Sequence, residues 1–284
     1  MPTTRVRISG GEAVVEYDRT GTGPGLVLVH GTGATREQWL PLTEAVADRF
    51  TVVAPDYSGS GGTIDHGGPL TLADLADEVL AAADHAGLGT FHLVGHSLGA
   101  AIATHLAGSH PARVRSLVLH AGWAYTDSRM RAEFTYWLDL LRADAEHGTS
   151  LFARMLPLMA FGPRYWDHTD TAAYEELVRA LATALAPGTD RQTAVDLAVD
   201  LRPLLASVTA PTLVLASAHD RVIGAAQQQQ LLAGISHSRY AEIDAGHGAP
   251  AEDPAGFVAR IAGFLAEQQP DEGPMADRAA PAPA

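Results

Sequence analysis

The chain has 284 residues, 46% of them apolar and 18% charged, enough to bury a full core as one α/β domain with an insertion or as two small domains. A formal net charge of −14 speaks against nucleic acid, whose binding needs clustered cations, and against anionic membrane surfaces. The absence of cysteine excludes disulfides, a thiolate nucleophile and thiolate metal ligands, and because all 19 cationic side chains are Arg, Lys-based Schiff-base chemistry is excluded as well.

No window approaches the roughly 18 consecutive apolar residues of a membrane span. The segment from Met1 to Arg7 lacks the apolar core of a signal peptide, so a cytoplasmic location is the expectation. Two short β-like runs, Arg5 to Ile8 and Ala13 to Tyr17, flank Gly10-Gly11 and predict a hairpin. Leu26 to Val29 is continuously apolar, as a strand covered on both faces should be, and ends in His30-Gly31-Thr32-Gly33-Ala34. A helix over about Arg36 to Arg49 follows, then a buried strand at Thr51 to Ala54, closed by the turn Pro55 to Thr63. Thr71 caps a helix whose apolar residues, Leu72, Leu75, Val79 and Leu80, recur at helical spacing. A strand at Thr90 to Val94, a helix at Ala100 to Ala107 and a strand at Val114 to His120 complete a strand–helix alternation. Such alternation predicts right-handed crossovers and a parallel sheet.

The order breaks at Gly122. From 123 to 205 the periodicity is helical, and 10 of the 18 aromatics fall there, among them Trp123, Tyr136, Trp137 and Phe161. Two readings stand side by side: a helical insertion with its own core, or a cap whose aromatics line an apolar pocket. The sheet resumes at Thr212 to Ala216, followed by a helix at Ala225 to Leu232, a strand at Arg239 to Ile243 and a helix at Pro254 to Glu267. Gln227 to Gln230 reads as a solvated face, and residues 269–284 as a disordered tail. The division is therefore a core at 1–122 and 206–268, a helical cap at 123–205, and the tail.

The chemistry centres on Leu93-Val94-Gly95-His96-Ser97-Leu98-Gly99, a strand entering a Gly-x-Ser-x-Gly turn that opens a helix. Such a turn strains its apex and lifts the apical hydroxyl above the sheet. A serine hydroxyl is a poor nucleophile at its own pKa and needs a base with an orienting acid. Sites on such sheets form at the carboxyl ends of the strands. Among 13 histidines, His247 in Asp244-Ala-Gly-His-Gly occupies such a place, and Asp220 in Ser217-Ala-His-Asp another. The order Ser97, Asp220, His247 is one that triads take on this kind of sheet.

Stabilising an oxyanion needs two aligned donors. The N–H of Leu98, after the nucleophile, and that of Thr32, in the loop after the third strand, are the candidates. His30 and His120, at strand ends, and Trp123, Tyr136, Trp137 and Phe161 are candidate substrate contacts. Other roles remain open: His219 as support for the acid, His96 as support for the turn, and Asp127 as an alternative acid. No Gly-Lys-Ser/Thr ending or Gly-x-Gly-x-x-Gly marks a phosphate site, and no His-x-x-x-His pair marks a metal, so neither cofactor nor metal is expected.

Over about residues 12 to 267 the chain resembles the α/β-hydrolase superfamily, in particular its lidded, esterase-like group. His30-Gly31-Thr32-Gly33 is similar to the oxyanion loop of that family. Asp56-Tyr-Ser-Gly59-Ser-Gly61-Gly-Thr63 is similar to its Asp-x-x-Gly-x-Gly-x-Ser turn, with Thr63 for Ser. Gly95 to Gly99 resembles the elbow, Pro211-Thr-Leu-Val-Leu leading to Asp220 the acid segment, and Gly246-His247 with Pro250, Glu252 and Pro254 the histidine segment. Ser217 replaces a frequent Gly. The resemblance implies an eight-stranded, mostly parallel sheet with a helical lid and a Ser-His-Asp triad. A Ser nucleophile disfavours the dehalogenase and epoxide-hydrolase branches, and Leu98 leans away from perhydrolases.

The function so implied is a serine hydrolase, monomer or homodimer, cleaving an ester, lactone or thioester of a small, largely apolar molecule through an acyl-enzyme. The alternatives are a natural-product biosynthetic enzyme using the same site for elimination, thioester release or cyclisation, and a receptor that keeps the fold without turnover.

Overall fold

Five apolar runs set the architecture, because strands buried on both faces pair most stably in the middle of a sheet covered by helices. In the computed structural model, which describes residues 1–268, these are β3 (Gly25–Val29), β4 (Thr51–Pro55), β5 (Phe91–His96), β6 (Val114–His120) and β7 (Thr212–Ser217). The less buried β1 (Thr3–Ile8) and β2 (Gly11–Thr20) lie at one edge, and β8 (Ser238–Ile243) at the other. The eight strands run in the order β1-β2-β4-β3-β5-β6-β7-β8. β1 and β2 pair antiparallel, as do β2 and β4, and every other pairing is parallel.

Alternate residues of each strand face opposite layers. Leu26 and Leu28, with Val94 and Val118, meet α1 (Leu40–Val46) and α11 (Pro254–Glu267) through Leu42, Val46, Phe257 and Ile261. Val27 and Val29, with Leu93, meet α2 (Leu72–His85) and α3 (Leu98–Ser109) through Leu75, Val79, Ile102 and Leu106. Thr71 caps α2, as the sequence predicts, and it does so through a capping box with Asp74. The segment expected as one helix over 36–49 is instead a 3₁₀ turn, Arg36–Trp39, followed by α1. Pro41, which lacks an N–H, sits in the first turn of α1 where its absence costs nothing, so a new helix starts there.

Between β6 and β7 the chain forms α4 (Ser128–His147), α5 (Leu151–Ala160), α6 (Pro163–Trp166), α7 (Thr171–Ala184) and α8 (Thr189–Ala198). Trp123, Phe134, Trp137 and Phe152 form a chain of aromatic contacts with successive centroids 6.0, 5.2 and 5.5 Å apart, and join the apolar cluster on one face of the sheet. The last elements are α9 (Ala225–Gly234) before β8, and α10 (Ala249–Glu252) before α11.

One expectation is corrected in α9. Gln227 and Gln228 are buried, because the Gln227 carboxamide spans a gap to the start of the inserted helices. Its Nε2 donates to Asp127 Oδ2 at 3.0 Å and its Oε1 accepts from the Ala124 N–H at 3.3 Å. The tail expected at 269–284 lies outside the described residues. Among the described residues, no helix is long and apolar enough to cross a membrane.

Candidate active site

β5 delivers Ser97 into a turn with φ 55° and ψ −122°, a left-handed conformation that only tight surroundings can hold in a residue other than glycine. The neighbours show why they are glycines. A Cβ on Gly95 would sit 2.2 Å from the Gly99 carbonyl oxygen, and one on Gly99 would sit 2.1 Å from that of Val29. The Ser97 N–H donates to the His120 carbonyl at 3.0 Å, tying the turn to the end of β6.

Three side chains from three strand ends meet there. Ser97 Oγ lies 3.0 Å from His247 Nε2, and His247 Nδ1 lies 2.9 Å from Asp220 Oδ2. With Nδ1–H donating a hydrogen bond to the carboxylate, Nε2 is free to accept from the serine hydroxyl. The other oxygen of Asp220 accepts from the Val222 and Ile223 N–H groups at 2.9 and 2.8 Å, so one carboxylate both closes its own turn and faces the imidazole. The loop carrying His247 is fixed by Glu252, whose Oε2 accepts from Gly246 N–H at 2.8 Å and from Gly162 N–H at 3.0 Å.

The loop after β3 passes directly over the serine, since a Cβ on Gly31 would come within 3.3 Å of Ser97 Cβ. Tyr57 supports that loop from below, its hydroxyl donating to the His30 carbonyl at 3.0 Å. Among the described residues, neither the Thr32 nor the Leu98 N–H donates to another protein group. A cavity of about 260 Å³ opens above Ser97 and His247. The sheet side contributes Gly31 and Thr32, and the inserted helices contribute Trp137, Phe152, Leu156, Pro157, Phe161 and Leu181.

Comparison with known proteins settles the family. The family model described as the alpha/beta hydrolase fold matches residues 24–254. The chain belongs to this family. It is 34% identical over 262 residues to the pyrrolizixenacetamide deacetylase of Xenorhabdus hominickii, covering 91% of this chain and 97% of that one. It is equally 34% identical, over 264 residues, to a protein of Azorhizobium caulinodans named as the carbamate hydrolase RutD, again covering 91% and 97%. A thermophilic esterase from Thermogutta terrifontis superimposes with a TM-score of 0.81 at 24% identity over 95% of this chain and 100% of that one. The enol-lactonase of Burkholderia xenovorans superimposes with a TM-score of 0.80 at 23% identity, over 93% and 100%. At such identities these two structures speak for the fold alone. The relatives' names support an enzyme that hydrolyses bonds.

In this alpha/beta hydrolase the charges around His247 are unequal in depth. Burial pulls its imidazole down, yet Asp220, with Glu133 and Asp196 behind it, holds it above the ordinary range. Burial raises the Asp196 carboxyl to about 7 against the hydrogen bond from Thr32, and it raises Glu133 against its pairing with Arg129. His96 and His120 are driven far the other way by burial, His120 to about 3, so both are neutral.

Of the expected substrate contacts, Trp137 and Phe161 line the cavity and four side chains do not. His30 is sealed in the core, stacked on Tyr57 at 4.1 Å between centroids. His120 is sealed beneath His96 and bonded through Nε2 to Ser217 Oγ at 3.0 Å. Trp123 is buried among the inserted helices, its Nε1 donating to Thr126 Oγ1 at 3.0 Å. Tyr136 is 53% exposed, because a residue adjacent to Trp137 on a helix points about 100° away from it. Asp127 caps α4 by accepting from the Met130 N–H at 2.9 Å, and His219 is engaged by Asp244 at 2.8 Å rather than by Asp220.

Sequence reasoning passed over three polar residues: Gln192, Asp196 and Glu133. The signal for the first two was present, since they stand four apart on a helix that also buries Thr189 and Thr193, a polar stripe turned inward.

Proposed function

We propose that this hydrolase cleaves an acyl bond by covalent catalysis at Ser97. The observation that carries the reading is the continuous chain Ser97 Oγ, His247, Asp220, with steps of 3.0 and 2.9 Å. Ser97 Oγ attacks the acyl carbon as its proton passes to His247 Nε2, and the imidazolium then gives that proton to the leaving group. Water, deprotonated by the same nitrogen, attacks the acyl-enzyme, releasing the acid and restoring the serine. Asp220 fixes the tautomer and stabilises the imidazolium. The N–H groups of Leu98 and Thr32 bind the oxyanion, and loss of one such donor typically costs about 2.7–4 kcal/mol.

The helices α4 to α8 act as the lid. Their apolar wall and the cavity of about 260 Å³ suit a small, largely apolar acyl group. An ester is the leading bond type. A second reading, an amide or carbamate, is favoured by the names of the two relatives, one a deacetylase of an acetamide and the other a carbamate hydrolase.

The test is turnover of p-nitrophenyl acyl esters and matched anilides, with labelling by a serine-directed fluorophosphonate. Ser97→Ala should abolish both turnover and labelling. Labelling that persists at another serine would remove Ser97 from the mechanism. The ratio of ester to anilide turnover decides between the two bond types.

A further inference from the structure

We infer that Asp196 is a positioning residue that sets the oxyanion loop from the lid, by holding the hydroxyl of Thr32. The inference rests on the reading of Ser97 as nucleophile and the Thr32 N–H as oxyanion donor.

The loop after β3 makes its contacts to the inserted helices at successive residues. Thr32 Oγ1 donates to Asp196 Oδ2 at 2.8 Å. The next N–H, that of Gly33, donates to Gln192 Oε1 at 2.8 Å. The Gly33 carbonyl accepts from the Ala186 N–H at 3.2 Å, just ahead of α8. Gln192 and Asp196 stand one helical turn apart, so one face of α8 grips two adjacent loop residues. Gln192 also reaches past the loop, its Nε2 donating to Ser60 Oγ at 2.7 Å and to the Ser58 carbonyl at 3.1 Å. The fit is close and favours glycine: Gly33 has φ +71°, and a Cβ there would stand 3.0 to 3.1 Å from Leu185 and Thr189.

Asp196 is an expensive residue for this place. It is 1% exposed, no cation pairs with it among the described residues, and its Oδ1 has no partner. A buried carboxyl so placed destabilises the fold unless something is returned. What it returns here is the strongest available acceptor for the Thr32 hydroxyl. The backbone N–H of that same residue has no protein partner, and Thr32 lines the cavity together with Ser97. An oxyanion donor works only if it is aligned before the charge develops. The lid therefore has two parts. α4, α5 and α7 supply apolar wall to the cavity, whereas α8 is hydrogen-bonded to the catalytic loop and belongs functionally to the core.

The experiment compares Asp196→Ala, Asp196→Asn and Thr32→Val, assayed on a p-nitrophenyl ester, with hydrogen exchange read over residues 30–34. Asp196→Ala and Thr32→Val should each lower kcat about ten- to a hundredfold with KM changed less than about threefold, because the lost alignment acts on the transition state. Exchange over the loop should rise in both. Asp196→Asn keeps an acceptor oxygen and should restore most of kcat and the slow exchange. The double variant should be no worse than either single, as expected for two ends of one contact. If Asp196→Ala fails to fold, Thr32→Val, which removes only the hydroxyl, decides alone. Unchanged kcat with unchanged exchange, or additive losses in the double variant, would overturn the inference. Ser97→Ala, run in parallel, reports separately on the nucleophile, and the exchange readout holds whether or not Ser97 is the attacking group.

Discussion

The imidazoles of His96 and His120 lie stacked, with ring centroids 4.9 Å apart and Nδ1 facing Nδ1 at 2.8 Å. A contact between two ring nitrogens needs one proton, so one ring donates and the other accepts. Protons on both Nδ1 atoms would set two donors against each other with no acceptor between them. The relation continues from His120 Nε2 to Ser217 Oγ, on β7. Replacing His120 by Leu leaves both partners without a bond and should cost about 1–3 kcal/mol of unfolding free energy, read by urea denaturation at pH 7. Because the Ser97 N–H is held by the His120 backbone carbonyl rather than its ring, kcat should fall by less than about tenfold.

Acid should destabilise the fold. Below about pH 6.5 the unfolded chain takes up protons that buried His30, His92, His96 and His120 refuse, because burial lowers all four, His30 and His92 to about 4 and His120 to about 3. Where the unfolded state binds more protons, stability falls as pH falls. Glu78 and Asp196, both raised to about 7 by burial, work in the opposite direction. His247, also raised, is protonated in both states by pH 5.5 and drops out there. The lowered imidazoles, with His105 also lowered by burial, outnumber the raised carboxyls, Glu133 included, which leaves a net uptake of protons on unfolding at pH 5.5. The melting temperature should therefore drop between pH 7 and pH 5, and the drop should be shallower in His120→Asn. A flat profile would mean that these imidazoles titrate as if exposed.

The pH–rate profile should report His247. The base must be neutral to accept the serine proton, so kcat/KM should rise with pH through a limb lying above the ordinary imidazole value of about 6.5. Asp220→Asn should move that limb to lower pH while cutting kcat about 10²–10⁴-fold through loss of the tautomer. Glu133→Gln should move it less, being a more distant carboxylate.

The two candidate acids can be told apart directly. Asp127→Asn retains an acceptor at the start of α4 and should leave kcat within about twofold. Asp127→Ala should lower stability by about 1 kcal/mol through loss of the cap. Loss of turnover in Asp127→Asn, with Asp220→Asn active, would reverse the assignment.

Acyl-length preference should follow the lid wall. Leu156 is a partly buried cavity residue on α5, so Leu156→Trp can fill space at modest cost to the core. It should move the optimum toward shorter acyl chains, whereas Leu156→Ala should extend it. A profile of p-nitrophenyl esters of increasing chain length checks both.

Much of this was legible in the sequence because it is local. Val114 to His120 and Pro254 to Glu267 come out with the expected bounds, since apolar periodicity and the proline that opens the helix are written in neighbouring residues. The elbow was legible for the same reason: Gly95 and Gly99 are required by contacts within one strand–turn–helix unit and the strand beside it. Ser97, Asp220 and His247 were candidates because each stands at the carboxyl end of a strand.

Tertiary structure decided the rest. Which aromatics face the cavity depends on helix azimuth, so Trp137 lines it while its neighbour Tyr136 is exposed. Gln227 reads as surface in sequence and is buried because Asp127, a hundred positions earlier, comes to meet it. Likewise the link from Asp196 to Thr32 joins residues 164 apart, and although the polar stripe of α8 marks Asp196 as inward, nothing in the sequence names Thr32 as its partner. Short-range sterics and hydrophobic spacing act between residues near in the chain and leave their mark in it. Hydrogen bonds between distant segments exist only once folding has brought both ends together, so Ser97 and the loop at Thr32 could be put forward from the sequence, while the grip of α8 on that loop had to be seen in place.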